Sequence, residues 1–201
     1  VGIAFREAAD GEQVLKLAAK EEFEYAEVDE LGTVVEKDYT PYHINQVLAL
    51  KLVNRDAIAQ ADLKIVVDAV NSVGGVVIPA LLRALGVKEI TELNCEPTGH
   101  FAHNPEPIPE NLTQIAAKMK ESRADLGIVV DPDVDRLALI SENGEMFGEE
   151  YTLVAVADYV LKHTPGNTVS NLSSSRALKD VTEAYGQQYH AAAVGEVNVV
   201  A

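Results

Sequence analysis

Leu126-Gly127-Ile128-Val129-Val130-Asp131-Pro132-Asp133-Val134-Asp135-Arg136-Leu137-Ala138-Leu139-Ile140 decides the fold and locates the chemistry. Two apolar runs of strand length flank a loop with carboxylates at i, i+2 and i+4. Residues 126–130 are apolar throughout, the pattern of a strand buried on both faces near the middle of a sheet. Residues 137–140 form the next strand, and Ser141-Glu142-Asn143-Gly144-Glu145 supplies an Asn-Gly turn of hairpin type. Three like charges in one loop are costly unless a cation compensates them. All-oxygen ligation suits a hard ion such as Mg2+ or Ca2+, whereas Zn2+ prefers nitrogen and sulfur. Pro132 stiffens the loop, and Arg136 adds a fork suited to phosphate.

Outward from this stretch the pattern is strand, loop, helix, repeated. Upstream, Lys64-Ile65-Val66-Val67-Asp68 reads as a short β-branched strand. A loop holding Asn71, Ser72, Gly74 and Gly75 follows, then a helix over 76–85 with Pro79 near its first turn and Gly86 as its stop. That loop reads as a tight βα turn, since it has neither a Lys nor a dinucleotide-type glycine pattern. A second strand spans 89–93. A Pro-rich connection over 96–109 leads into a helix with Leu112, Ile115, Ala116 and Met119 on one face. Such alternation means an α/β sandwich with much of its sheet parallel.

A second unit starts near Phe147, with a helix over 151–161, a strand over 168–172, a helix over 176–185 and a strand over 189–194. Two or three strands are too few for an independent sheet, so this unit reads as the beginning of a further α/β domain. Residues 1–50 are irregular and acidic. Val14, Leu15, Ala18 and Ala19 have helical spacing, Glu21 to Glu30 is a solvated surface, and Asp38-Tyr39-Thr40-Pro41 opens a helix to about residue 53. The chain opens on Val1, with 1–6 matching nothing familiar, and closes on the strand-like Val197-Asn198-Val199-Val200-Ala201. Both ends read as cuts in a longer protein.

The 201 residues are 47% apolar and 24% charged, a globular mix with no apolar run near the ~18 residues of a membrane span. Sixteen Lys and Arg stand against 32 Asp and Glu, for a net charge of −16. The basic residues are scattered, which argues against nucleic acid and against an anionic membrane surface as partners. Cys95 is the single cysteine, so no internal disulfide forms, and no signal peptide is legible. A cytoplasmic setting is the expectation. His100 and His103 have no second Cys/His pair in metal spacing, so zinc is not expected; His103 reads instead as a hydrogen bonder at a domain interface.

Three motif families compete for the acidic loop. An EF-hand wants Gly at its sixth position and helical flanks, and Arg136 between strands excludes it. A haloacid-dehalogenase-like phosphatase also places Asp-x-Asp after an apolar strand, but expects Thr or Val where Asp135 stands. The third fits unamended: Asp131-Pro132-Asp133-Val134-Asp135-Arg136 resembles the metal loop of the α-D-phosphohexomutases, the phosphoglucomutase and phosphomannomutase family. Residues 64–86, with Asp68-Ala69-Val70-Asn71-Ser72-Val73-Gly74-Gly75, are similar to the opening of that family's second domain. Phe101-Ala102-His103-Asn104-Pro105-Glu106-Pro107, continuing to Glu110-Asn111-Leu112, is similar to its Phe-x-x-His-x-Pro-x-Pro-x-x-Glu-Asn-Leu segment, one residue shorter before His103. Val194-Gly195-Glu196 is similar to a sugar-contacting loop of its third domain. The resemblance covers roughly residues 35–201.

The resemblance implies a three-layer α/β sandwich, a mixed sheet with helices on both faces, plus part of a similar following domain. It divides the chain into a remnant of an N-terminal phosphoserine domain (1–50), the domain carrying the metal loop (51–146) and the beginning of a third (147–201). It implies Mg2+-dependent interconversion of hexose 1-phosphate and 6-phosphate through a phosphoserine and a hexose 1,6-bisphosphate. Asp131, Asp133 and Asp135 would hold Mg2+, Arg136 would contact phosphate, and Gly195, Glu196 and Arg176 would meet the sugar. Arg176 stands at a strand end where α/β domains bind ligands, although Ser173-Ser174-Ser175 also suits a helix cap. The family's Thr-Ala-Ser-His-Asn-Pro donor loop is not found; at the nearest echo, Ala102-His103-Asn104-Pro105, Ala102 replaces the serine. This chain alone is therefore expected to be inactive. Phosphoglucosamine mutase, a non-catalytic sugar-phosphate or partner-binding domain pair, and the phosphatase are the alternatives, and a homodimer is a candidate assembly.

Overall fold

Val66 and Val67 are fully buried because β1 (Lys64–Asp68) lies inside a sheet covered on both faces. The computed structural model describes residues 8–200; Val1 to Glu7 and Ala201 lie outside the described residues. β1 pairs in parallel with β2 (Glu89–Leu93) on one side and β3 (Leu126–Val130) on the other. β4 (Leu137–Ser141) runs antiparallel to β3, giving the order β2-β1-β3-β4. The wholly apolar β3 is central, as its composition requires. The Asn-Gly turn follows β4, with the Ser141 amide donating to Glu145 O at 2.8 Å.

Alternation along the strands divides the core in two. Ile65 and Val67 face α4 (Gly74–Ala84), packing with Leu82 and Val87. Val66 and Val129 face α5 (Thr113–Ser122), packing with Leu112, Ile115, Met119 and Ile140. Helix, mixed sheet and helix make the expected three layers. Gly127 lets the α5 layer close: a Cβ there would stand 2.8 Å from Ile140 Cβ and 3.2 Å from Ile115 Cδ1.

The second unit consists of α6 (Glu149–His163), β5 (Thr168–Asn171), α7 (Ala177–Ala184), β6 (Tyr189–Ala192) and α8 (Glu196–Val200), with β5 and β6 parallel. Its β-branched end, read from composition as a strand, is the helix α8 instead. Glu196 leads that helix, the Asn198 amide donates to Gly195 O at 3.0 Å and its side chain to Val194 O at 3.0 Å, so local hydrogen bonds override β propensity.

Three other expectations are corrected. The helix opened by Pro41 is α2 (Thr40–Leu48), shorter than expected; a separate α3 (Arg55–Gln60) follows, capped by Asn54 Oδ1 accepting from the Ala57 amide at 3.0 Å. That Asn cap starts a separate short helix. Gly74 and Gly75, assigned to a loop, are the first turn of α4. They are glycines because of close approach: a Cβ on Gly75 would strike the Cys95 carbonyl, and one on Gly74 would stand 2.5 Å from Val130 Cγ2. Finally, His103 bonds within its own unit rather than across a domain interface. α1 (Ala8–Lys20) is helical as expected, with Val14 and Leu15 exposed. No helix among the described residues is long and apolar enough to cross a membrane.

Candidate metal and phosphate site

The parallel strands β1, β2 and β3 end at the same edge of the sheet, where α/β folds place their ligands. Asp68 closes β1, Asn94 follows β2 and Asp131 follows β3. Register puts Asp68 beside Val129, two residues before Asp131.

After β3 the backbone turns sharply. Val134 is held at φ +64°, a left-handed conformation that a β-branched residue rarely adopts. Its amide donates to Asp131 O at 3.2 Å, and the Arg136 amide donates to Asp131 Oδ1 at 3.1 Å. This turn brings Asp131, Asp133 and Asp135 together, with one carboxylate oxygen of each within 4.8 Å of the others. A point therefore exists within about 2.8 Å (4.8 Å divided by √3) of all three oxygens, against about 2.3–2.6 Å for Ca–O and about 2.0–2.1 Å for Mg–O. Small side-chain movements would close that difference. Asp131 is buried, while Asp133 and Asp135 are exposed.

Crowding acts on the protonation of Asp135. A hydrogen bond shared with Asp131, followed by the negative charge of Asp133, holds the Asp135 carboxyl above its ordinary range. Like charges at this spacing disfavour full ionisation, and a hard cation relieves them. The donor set, three carboxylates and no nitrogen or sulfur, fits such an ion.

Arg136 lies beside the triad, its Nε 4.0 Å from Asp131 Oδ2 and 3.9 Å from Asp135 Oδ1. Its Nη1 donates to Glu106 Oε1 at 2.5 Å. The sequence reading missed Glu106 as a contact; its only local signal is its place between Pro105 and Pro107.

Also missed was the polar cluster around Asp68, which has no accessible surface. Asn94 Nδ2 donates to both Asp68 oxygens at 3.2 Å, and the Val70 amide donates to Oδ1 at 3.0 Å. His103 Nε2 lies 3.2 Å from Asp68 Oδ2, and His103 Nδ1 lies 2.8 Å from Asn104 O. Val70, Asn71 and Asn94 all have positive φ, so the strand ends are bent sharply around this carboxylate.

The second unit holds the remaining expected residues apart from the triad. Arg176 pairs with Asp180 at 3.0 Å on the surface of α7, and Ser175 Oγ accepts from the Ala177 amide at 3.3 Å, a side-chain turn just before the helix. Gly195, at φ +121°, turns the chain into α8, whose first residue is Glu196. Among the described residues, no hydrogen bond or ion pair joins Arg176, Gly195 or Glu196 to the Asp loop. Cys95 is half-buried; burial, then the charges of Glu92 and Asp68, push its thiol up to about 11.

Two successive α/β units, the first carrying an acidic loop at the carboxyl edge of its sheet, match known proteins in both sequence and shape. Residues 41–144 match the family model for phosphoglucomutase/phosphomannomutase alpha/beta/alpha domain II, and residues 148–201 match domain III. The chain belongs to the phosphoglucomutase/phosphomannomutase family. It is 32% identical to a probable phosphoglucosamine mutase of Methanopyrus kandleri, an alignment covering 100% of this chain and 43% of the relative. A phosphoglucomutase/phosphomannomutase of Thermococcus kodakarensis is 34% identical over 92% of this chain and 41% of its own length. The crystal structure of a phosphoglucomutase/phosphomannomutase family protein from Burkholderia thailandensis superposes with a TM-score of 0.78 at 26% identity, covering 98% of this chain and 41% of that one. The chain thus spans about two-fifths of the length of the relatives it matches.

Proposed function

We propose that this chain is the metal- and phosphate-handling part of a phosphohexomutase, which interconverts hexose 1-phosphates and 6-phosphates through a phosphoserine and a hexose 1,6-bisphosphate. The observation that carries this reading is the convergence of Asp131, Asp133 and Asp135 within 4.8 Å, flanked by the Arg136 guanidinium. Bound there, Mg2+ would neutralise charge on the phosphoryl oxygens during transfer. The rest of the chemistry falls to the chain itself. Asp131, the buried member, anchors the loop by accepting from the Arg136 amide. Arg136 offers planar N–H donors to a phosphate, and its charge stays on at every working pH. Gly195, Glu196 and Arg176 are proposed to meet the sugar of a hexose phosphate.

The chain carries no serine donor loop of the family type, so turnover requires a phosphoserine that these 201 residues do not supply. Calorimetric titration of the chain with Mg2+ tests the metal assignment. Asp133→Asn, at an exposed position, should abolish the binding heat and leave the far-UV circular dichroism unchanged. Equal affinity before and after the substitution would reject the loop as the metal site.

A further inference from the structure

Arg136 creates a difficulty for the loop it follows. Its guanidinium is a cation next to carboxylates that the proposed function reserves for a metal ion. At 4.0 and 3.9 Å from Asp131 and Asp135, Nε lies within ion-pair range of both but beyond hydrogen-bonding distance. A rotation of the side chain would seat it on the triad in place of the metal.

We propose that Glu106 is a positioning residue that holds Arg136 off the triad and so keeps the three carboxylates open to a divalent cation. The inference rests on the metal-loop reading above. Glu106 Oε1 takes Arg136 Nη1 at 2.5 Å, across thirty residues of chain. The segment that delivers it is stiff. Pro105 and Pro107 restrict the backbone on either side. The Glu106 amide donates to Asn104 Oδ1 at 3.1 Å, and Glu106 O accepts from Asn111 Nδ2 at 2.8 Å and from the Ile108 amide at 2.9 Å. The same segment is tied to the sheet through His103, which bridges Asn104 O and the buried Asp68 carboxylate at the end of β1. A buried anchor on the inner strand β1 thus aims an acidic side chain at the arginine.

The ion pair does little for stability. Arg136 and Glu106 side chains are 54% and 50% exposed, and pairs so solvated contribute little to folding. Orientation is what such a contact can supply: with one nitrogen engaged by Glu106, the guanidinium is fixed beside the loop and its remaining donors stay available for phosphate.

The test is a double-mutant cycle read by metal binding, with no activity required. The 201-residue chain is titrated with Mn2+, and free ion is followed by its electron paramagnetic resonance signal. Four proteins are compared: the wild type, Glu106→Gln, Arg136→Met and the double variant, with circular dichroism as the folding control. Glu106→Gln should weaken Mn2+ binding about threefold to fivefold, the coupling expected of a solvated ion pair. In the Arg136→Met background the same change should have no effect, because no guanidinium is left to collapse onto the triad. Unchanged binding in Glu106→Gln overturns the inference. So does an equal loss in both backgrounds, which would mean that Glu106 acts through its charge alone. A wild type that takes up no Mn2+ overturns the metal-loop reading itself and this inference with it.

Discussion

Replacing Asp131 with Asn separates charge from shape at the buried end of the acidic loop. Asn keeps the volume and an Oδ1 able to accept from the Arg136 amide, which lies 3.1 Å from Asp131 Oδ1. What disappears is one negative charge about 2.8 Å from the centre of the triad, on the one buried member. Even at the dielectric constant of water, a divalent ion and a unit charge at about 2.8 Å attract by about 3 kcal/mol. The loss in Mg2+ affinity should therefore exceed about a hundredfold. Calorimetry of both proteins against Mg2+ measures it, and thermal melting in EDTA supplies the second arm. Without metal the variant should melt no lower than the wild type, because removing one of three crowded carboxylates relieves repulsion and offsets the lost pairing with Arg136. An affinity within about threefold of wild type, or a melting temperature lowered by more than about 5 °C in EDTA, would refute the reasoning. The first outcome would mean that the charge does not ligate metal, the second that the fold itself needs it.

Protons compete with the cation. Since the hydrogen bond that protonated Asp135 donates to Asp131 and the charge of Asp133 hold Asp135 above the ordinary carboxylate range, Mg2+ affinity should fall on acidification at a higher pH than for an isolated Asp. In Asp131→Asn that fall should move to lower pH, as a calorimetric pH series would show. Asp68→Ala strips the acceptor from Asn94, the Val70 amide and His103, and should cost about 3 kcal/mol in urea unfolding. Gly127→Ala forces a methyl against Ile140 and Ile115 in the α5 layer and should destabilise by about 1–3 kcal/mol in the same assay. Cys95, its thiol pushed from 9.0 to about 11, should react with iodoacetamide at neutral pH about a hundredfold more slowly than an unperturbed cysteine.

Much of the first unit was legible because its signals are local. The β-branched run at 64–68, the apolar run at 126–130 and the helical face of Ile115 and Met119 each follow from spacing within a few residues. Element ends were less legible where a contact from elsewhere sets them. Gly74 and Gly75 read locally as loop residues, yet they are glycines of α4 because a Cβ on either would meet Val130 or the Cys95 carbonyl, and neither neighbour can be read from the local sequence. The end at 197–200 misled because β-branched residues state a preference that one hydrogen-bonded helical turn can overrule.

The same division runs through the site. Three Asp residues at alternate positions after a buried strand mark a candidate cation loop on chemistry alone, since their spacing is local and their mutual repulsion follows from charge. That Asp131 is the buried member, that Val134 turns the loop at positive φ, and that Asp68 gathers Asn94 and His103 at the end of β1 are products of three strands ending at one edge. The meeting of Glu106 with Arg136 belongs to the same class. Thirty residues apart in the chain, the two come within hydrogen-bonding distance because β1 and β3 are neighbours in the sheet and the proline-flanked segment is anchored to β1. Short-range chemistry needs no fold to be recognised, whereas a long-range contact exists only once strand order has been chosen.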